Sequence, residues 1–167
     1  MCIRDRRYAG VSTEDLLTIY KLFIRSSLEY NSVAFHSSLS YQQEVALERC
    51  QSVCLKVILQ DNYITYDAAL EMTGLETLKS RREKRCLDFS LKCLKHSENK
   101  RIFPLNENSS NQVVRSRELY KVNFAYTKAY QNSAVPYCQR LLNKREKMRR
   151  KEESGGGDQD RRRGPGN

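Results

Sequence analysis

The hydrophobic and polar positions of the chain first follow helical spacing over residues 12–28. Ser12 or Thr13 is placed to cap the first turn of this predicted helix. Its apolar arc comprises Leu16, Leu17, Ile19, Tyr20, Phe23, Ile24 and Leu28. Its polar arc comprises Thr18, Lys21, Arg25 and Glu29. This two-sided pattern predicts a helix that packs one face on a core.

A second helical pattern covers residues 40–60. Ser40 and Gln43 have the spacing of a capping box at its start. The predicted buried arc comprises Ala46, Leu47, Cys50, Val53, Cys54, Val57 and Ile58, widened by Leu55 and Leu59. Gln51 falls inside this arc, so we expect it to have a hydrogen-bond partner if it is buried.

A third pattern runs over residues 74–96, after a short predicted helix at 67–73 that Gly74 can end. Its apolar face comprises Leu75, Leu78, Cys86, Phe89 and Cys93, widened by Leu87, Leu91 and Leu94. The opposite face carries a basic row made of Arg81, Lys84, Arg85, Lys92 and Lys95. Arg81 and Arg82 are the first residues to test for phosphate contact. Arg82, however, falls among the apolar positions of the helix, which also fits a buried structural arginine.

The remaining segments predict less regular structure. Residues 99–112 are polar and indicate a loop, and the alternation of apolar residues over 120–126 indicates an extended segment. Ser133 and Pro136 can open a short last helix that ends near residue 143. Residues 1–8 fit no pattern and are interpreted as a non-native leader, and 144–167 as a disordered basic tail or frayed helix end.

These patterns predict a mainly α fold, a small bundle of about four to five helices with a short extended segment and a disordered basic tail. We expect a helical module at 9–98 and a loop, extended segment and short terminal helix at 99–143. The net charge is +10, with nine Lys/Arg against three Asp/Glu in residues 79–101 and two against six in residues 41–78. Charge polarised in this way suits contact with a polyanion, although plain surface solvation explains it too.

Several functional classes lack their sequence signals. No stretch approaches the roughly 18 consecutive apolar residues of a membrane span, and no signal peptide is evident. We therefore expect an intracellular protein, nuclear or cytoplasmic and not secreted, with free thiols and no membrane partner. The cysteines at 50, 54, 86 and 93 with His96 make a zinc site conceivable, but small apolar-face packing explains them better. We expect no metal, no cofactor and no catalytic residue.

Several segments together resemble the region downstream of the polymerase core in LINE-type, jockey-like non-LTR retrotransposon reverse transcriptases. These segments are Leu17-Thr-Ile-Tyr-Lys-Leu-Phe-Ile-Arg-Ser-Ser-Leu-Glu-Tyr30, Leu47-Glu-Arg-Cys-Gln-Ser-Val-Cys-Leu-Lys56, Tyr63-Ile-Thr-Tyr-Asp-Ala-Ala-Leu70, Gly74-Leu-Glu-Thr-Leu-Lys-Ser-Arg-Arg82, Asn132-Ser-Ala-Val-Pro136 and Leu141-Leu-Asn143. They cover most of residues 10–143 in order. The family's aromatic-x-Asp-Asp metal-binding motif is not among them, and no two aspartates are adjacent in the chain.

The resemblance implies a C-terminal fragment, with residues 9–98 similar to a thumb, of a parent RNA-directed DNA polymerase. In the family this region lies near the template–primer duplex, so the implied partners are that nucleic acid and the polymerase domain of the parent chain. The basic row would then supply sequence-independent phosphate contacts. Two alternatives stay open: a helical protein-interaction module that works through acidic residues 41–78, and a functionless transposon remnant.

Overall fold

The computed structural model describes residues 10–106 and 118–155, and these residues are mainly helical. The α-helices are α1 (Thr13–Ile19), α2 (Arg25–Leu28), α3 (Ser32–Phe35), α4 (Tyr41–Leu59), α5 (Tyr66–Thr73), α6 (Leu78–Lys95), α7 (Lys128–Gln131) and α8 (Ala134–Gly155). A π-helical segment, Tyr20–Ile24, joins α1 to α2, and 3-10 turns occupy His36–Ser38, Gln60–Asn62 and Ser97–Ile102. The described ranges contain no β-strand, so the mainly α prediction is confirmed. The predicted leader at 1–8, residues 107–112 of the predicted loop and residues 156–167 of the predicted tail lie outside the described residues.

The chain divides into two compact units, residues 1–86 and 87–167, with the division inside α6. In the first unit, the helix ends follow their local sequence. Ser12 Oγ accepts a hydrogen bond from the Asp15 backbone N–H at 3.2 Å, and Ser40 and Gln43 form the reciprocal capping box. Gly74 ends α5 at φ +62°, a left-handed conformation that glycine adopts without a Cβ clash.

The core of the first unit contains a buried amide on α4 that is hydrogen-bonded to the π-helical segment and to the chain before α6. Its buried residues are Leu16, Tyr20, Leu55, Ile58, Leu59, Ala69, Leu70 and Leu75. The Gln51 side chain is fully buried among them; its Oε1 accepts a bond from the Tyr20 hydroxyl at 2.8 Å, and its Nε2 donates to the Glu76 carbonyl at 3.0 Å. Both ends of the amide are satisfied, as expected from the sequence. Burial raises the pKa of Tyr20, so its hydroxyl stays protonated and able to donate.

Two details of the predicted core are wrong. The prediction assumed regular α-helices and treated every apolar residue of an arc as equally buried. A π-helical turn contains one extra residue, which displaces the predicted face after Tyr20 and leaves Phe23 64% exposed. In α4 the buried face is centred on Gln51, Leu55 and Ile58. Predicted core positions 46, 50 and 53 are exposed.

In the second unit, two side-chain amides fix α8 to the chain that precedes it. The Gln139 Oε1 accepts from the Asn123 N–H at 3.0 Å and its Nε2 donates to the Ile102 carbonyl at 3.1 Å. Asn143 makes both bonds to the Tyr120 backbone, each at 2.9 Å. The predicted extended segment at 120–126 forms one isolated antiparallel bridge, Leu105 with Tyr120, in which the Lys121 N–H donates to the Pro104 carbonyl at 2.9 Å. The backbone of Tyr120 and the Asn123 N–H bond instead to the side-chain amides of α8.

The last helix is longer than predicted. Residues 144–155, interpreted from their lack of apolar residues as disordered or frayed, continue α8 to Gly155. Charged pairs at helical spacing support this part of α8, since Arg149 contacts Glu146 at 2.8 Å and Glu153 at 3.7 Å. The scarcity of apolar residues did not mean disorder here, because charged residues such as Lys, Arg and Glu are good helix formers.

A buried histidine, His36, predicts that the first unit loses stability in acid. His36 is 5% exposed, and burial, followed by the nearby charges of Arg82 and Lys79, lowers its pKa. Glu44 and Glu83 act on His36 in the opposite direction but do not reverse the shift. Because the folded unit disfavours the imidazolium, the unfolded chain binds a proton at a pH where the folded one does not.

We expect the free energy of unfolding to fall as the pH drops below about 6.5, the pKa of an ordinary histidine. The loss continues until the lowered pKa of folded His36 is reached, with a slope of at most about 1.4 kcal/mol per pH unit. Urea unfolding between pH 7.5 and pH 5.5 measures it, and His36→Gln should remove most of the dependence. His96→Gln, which changes the other, exposed histidine, is the control. An equal slope in all three proteins contradicts the assignment.

Candidate nucleic-acid interface

The five residues of the basic row lie on α6 as predicted, but their surroundings differ. Arg81, Lys84 and Arg85 belong to the first unit, and Lys92 and Lys95 to the second. Arg81 is partly buried, and the other four are exposed. A row of equal solvent-facing cations, as the wheel suggested, is therefore not what the fold produces.

The start of α6 is held by a carboxylate from α4. Glu48 accepts hydrogen bonds from the backbone N–H groups of Leu78 at 3.3 Å and Lys79 at 2.7 Å. These are donors that a helix N-terminus leaves without an internal partner, and a negative charge is favourable there. Glu48 also accepts a bond from the Tyr66 hydroxyl at 2.6 Å. Burial and this bond raise the pKa of Tyr66.

Arg81 and Arg85, the two arginines of the basic row, both bind one buried carboxylate. Glu29, only 1% exposed, accepts bonds from Arg81 Nε and from Arg81 Nη2, the second at 3.2 Å. Arg85 Nη2 lies 2.8 Å from the same carboxylate, and Arg85 Nη1 donates to the Glu29 carbonyl at 3.2 Å. The hydrogen bond to Glu29 raises the pKa of Arg81 further. Both arginines therefore hold α6 against the end of α2.

Sequence analysis placed Glu29 on the solvent-facing arc, and this was wrong. Its partners are 52 and 56 residues away, so no local pattern in residues 12–30 could indicate the contact. The only sequence signal was the group of cations at the start of α6, which a buried acid could be expected to use.

Lys84, Lys92 and Lys95 are the most accessible cations of the basic row. Lys84 forms an ion pair with Glu76 at 2.6 Å, but both side chains are about half exposed or more, so solvent screens the pair. Within the part of the chain that the structure describes, the side chains of Lys92 and Lys95 make no hydrogen bond or ion pair. These three lysines can meet an anion without loss of a buried contact.

Arg82 is a buried residue, as its wheel position suggested. Its side chain is fully inaccessible to solvent, and its three guanidinium nitrogens have no hydrogen-bond partner among residues 10–106 and 118–155. Its charge is felt by His36, whose pKa it helps to lower. Arg82 is thus not placed as a ligand for an external phosphate.

Half of the acidic residues in the region 41–78 make internal contacts. Glu44 pairs with Lys79 at 2.9 Å, Glu48 caps α6 and Glu76 pairs with Lys84. The remaining acidic positions are 61, 67 and 71. A continuous acidic docking face is not formed by these side chains.

The candidate metal ligands differ in their exposure to solvent. Cys50 is exposed, Cys86 and Cys93 are buried, and His96 is exposed. In the described ranges, no group of three or more His, Cys, Asp or Glu residues is arranged to hold a metal ion. A search of the same ranges finds no helix whose length and hydropathy would let it cross a bilayer.

Comparison with known proteins finds no matching family model, no matching curated protein and no matching solved structure. The resemblance to reverse transcriptases therefore rests on the sequence segments themselves.

We expect Arg81→Met to lower the free energy of unfolding by roughly 2–3 kcal/mol, because the buried Glu29 carboxylate would keep only Arg85 as a partner. Lys84→Met removes the same charge from an exposed pair on the same helix and should change stability little. Urea unfolding at neutral pH measures both. Equal stability of the two variants would show that Glu29 does not depend on Arg81.

Proposed function

We propose that this chain is a non-catalytic C-terminal fragment of a LINE-type RNA-directed DNA polymerase that binds the backbone of a template–primer duplex without reading sequence. The observation that carries the binding function is the exposed, unneutralised pair Lys92 and Lys95 on α6, with Lys84 in a weak surface pair on the same helix. Cations of this kind contact phosphates without base recognition.

The roles within the basic row are divided in this proposal. Arg81 and Arg85 position α6 through Glu29, and the three lysines provide the phosphate contacts. Lysine suits the second role because it acts as a mobile point charge, whereas the planar fork of arginine suits the fixed bond to a buried carboxylate. A net charge of +10 adds long-range attraction for a polyanion.

The alternative of a protein-interaction module receives less support. Its working face was the acidic region, of which Glu44, Glu48 and Glu76 are engaged in contacts within the first unit. A partner that used Glu48 would have to displace the bonds that start α6. A binding function through the lysines requires no such displacement.

We expect the variant Lys84→Gln/Lys92→Gln/Lys95→Gln to bind a short labelled RNA–DNA duplex more weakly than the unsubstituted chain. Fluorescence anisotropy from about 50 to about 200 mM salt measures it. Each lost phosphate contact should reduce the slope of log affinity against log salt by about 0.9, so the slope should fall by two to three. Duplexes of different sequence should behave alike.

The matched control is Lys21→Gln/Lys100→Gln/Lys128→Gln, which removes three exposed lysines outside the basic row. It lowers the net charge by the same amount but leaves the basic row intact, so it should keep most of the affinity. The proposal fails if the unsubstituted chain does not bind at low salt, or if both variants lose the same slope.

The fragment hypothesis has its own test in the genomic DNA upstream of the codon for Tyr8, where an open frame should encode an aromatic-x-Asp-Asp motif.

A further inference from the structure

A second set of cations lies on α8, and all but the first of them fall in the segment 144–167 for which the sequence predicted disorder. Its members, here called the α8 row, are Arg140, Lys144, Lys147 and Lys151. They are spaced by four, three and four residues, which places them on one face of a helix. Lys144, Lys147 and Lys151 are exposed, and Arg140 is partly buried.

The α8 row lines an open groove of about 390 Å³, together with Glu118, Asn143 and Met148. The amides of Gln139 and Asn143, which lie on the adjacent buried face of α8, fix the helix to the chain at 102–123. The orientation of the row is therefore set by buried contacts, whereas its charged ends stay in solvent.

Two cations of the groove, Lys147 and Arg140, make contacts that leave most of their charge in place. Lys147 lies 3.7 Å from Glu118, but both side chains are about half exposed and such pairs are weak. Arg140 donates to the Gln131 carbonyl at 2.9 Å, a neutral acceptor that leaves its charge in place. Among the described residues that line this groove, there are four cations and one carboxylate, that of Glu118.

We propose that the α8 row binds the sugar–phosphate backbone of a nucleic-acid strand; this inference rests on the nucleic-acid function proposed above and adds a second contact surface. At about 1.5 Å per residue the row is roughly 16 Å long. A strand of a duplex carries one negative charge per nucleotide at regular spacing, so more than one phosphate falls within a row of this length. Evenly spaced cations in an open groove suit a ligand with an evenly repeated charge.

An anionic membrane fits the same helix poorly. A helix that lies on a membrane needs an apolar face to insert beside its cations. In α8 the apolar residues Cys138 and Leu142 are buried within the second unit. Beyond Leu142, Met148 is the one large apolar side chain among the described residues of this helix.

The test compares Lys144→Gln/Lys147→Gln with Arg145→Gln/Arg150→Gln. Both variants remove two exposed cations from α8, but Arg145 and Arg150 do not line the groove. The first variant should bind the labelled RNA–DNA duplex about ten-fold more weakly at low salt and lose about two units of salt slope. The second should stay close to the unsubstituted chain.

Removal of the acidic side chain from the groove should act in the opposite direction. Glu118→Gln should strengthen duplex binding several-fold, and Glu152→Gln, which changes an exposed acid outside the groove, should have a smaller effect. Circular dichroism of each variant separates loss of helix from loss of binding. A Glu118→Gln variant with unchanged or weaker affinity counts against the groove.

The outcomes separate this inference from the proposed function. If the chain binds duplex and only the α6 lysine variant weakens it, the α8 row is not a nucleic-acid surface although the function stands. If the unsubstituted chain binds no duplex at low salt, both are wrong. If vesicles of anionic lipid bind as tightly as duplex and respond to the same α8 substitutions, the ligand is a membrane and the inference is overturned.

Discussion

The first unit depends on one buried carboxylate. Glu29 lies at the end of the helical stretch that begins with α1, and it is held by Arg81 and Arg85 from α6. A carboxylate that is 1% exposed would be costly to bury alone, so the fold requires cations at these positions whatever else α6 does. The start of the same helix is fixed by Glu48, which accepts from two backbone N–H groups. Two acidic side chains thus determine where the basic helix lies.

This arrangement changes the interpretation of charge in the chain. An excess of Lys and Arg is usually counted as potential surface for a polyanion, yet Arg81, Arg82 and Arg85 serve the interior or its edge. The exposed cations include Lys84, Lys92 and Lys95 on α6 and both lysines and arginines on α8. Since lysines bind phosphate without directional geometry, any contact they provide is sequence-independent.

Buried side-chain amides have a similar organising role in both units. Gln51 links the Tyr20 hydroxyl to the backbone near the start of α6, and Gln139 and Asn143 bind the backbone of a segment that has no strand partner. Each amide offers both a donor and an acceptor, so it can satisfy irregular backbone that secondary structure leaves unpaired. The long α8 with its exposed cations is therefore anchored by polar contacts as well as by apolar packing.

The sequence alone determined the helical class, the capping boundaries at Ser12, Ser40 and Gly74, and the need of Gln51 for a partner, because these features depend on residues within a few positions of one another. It also placed the basic row on one helix, but it left two roles open for Arg82, a phosphate contact or a buried structural arginine, and the fold decided for the second. Only the tertiary structure decided which cations are free, since Glu29 meets its arginines across more than 50 residues. The exposure of Phe23 likewise did not follow from a regular helical wheel, because the π-helical segment contains one extra residue. The length of α8 was within the reach of local patterns, since its charged pairs lie three and four residues apart, but the scarcity of apolar residues did not indicate it.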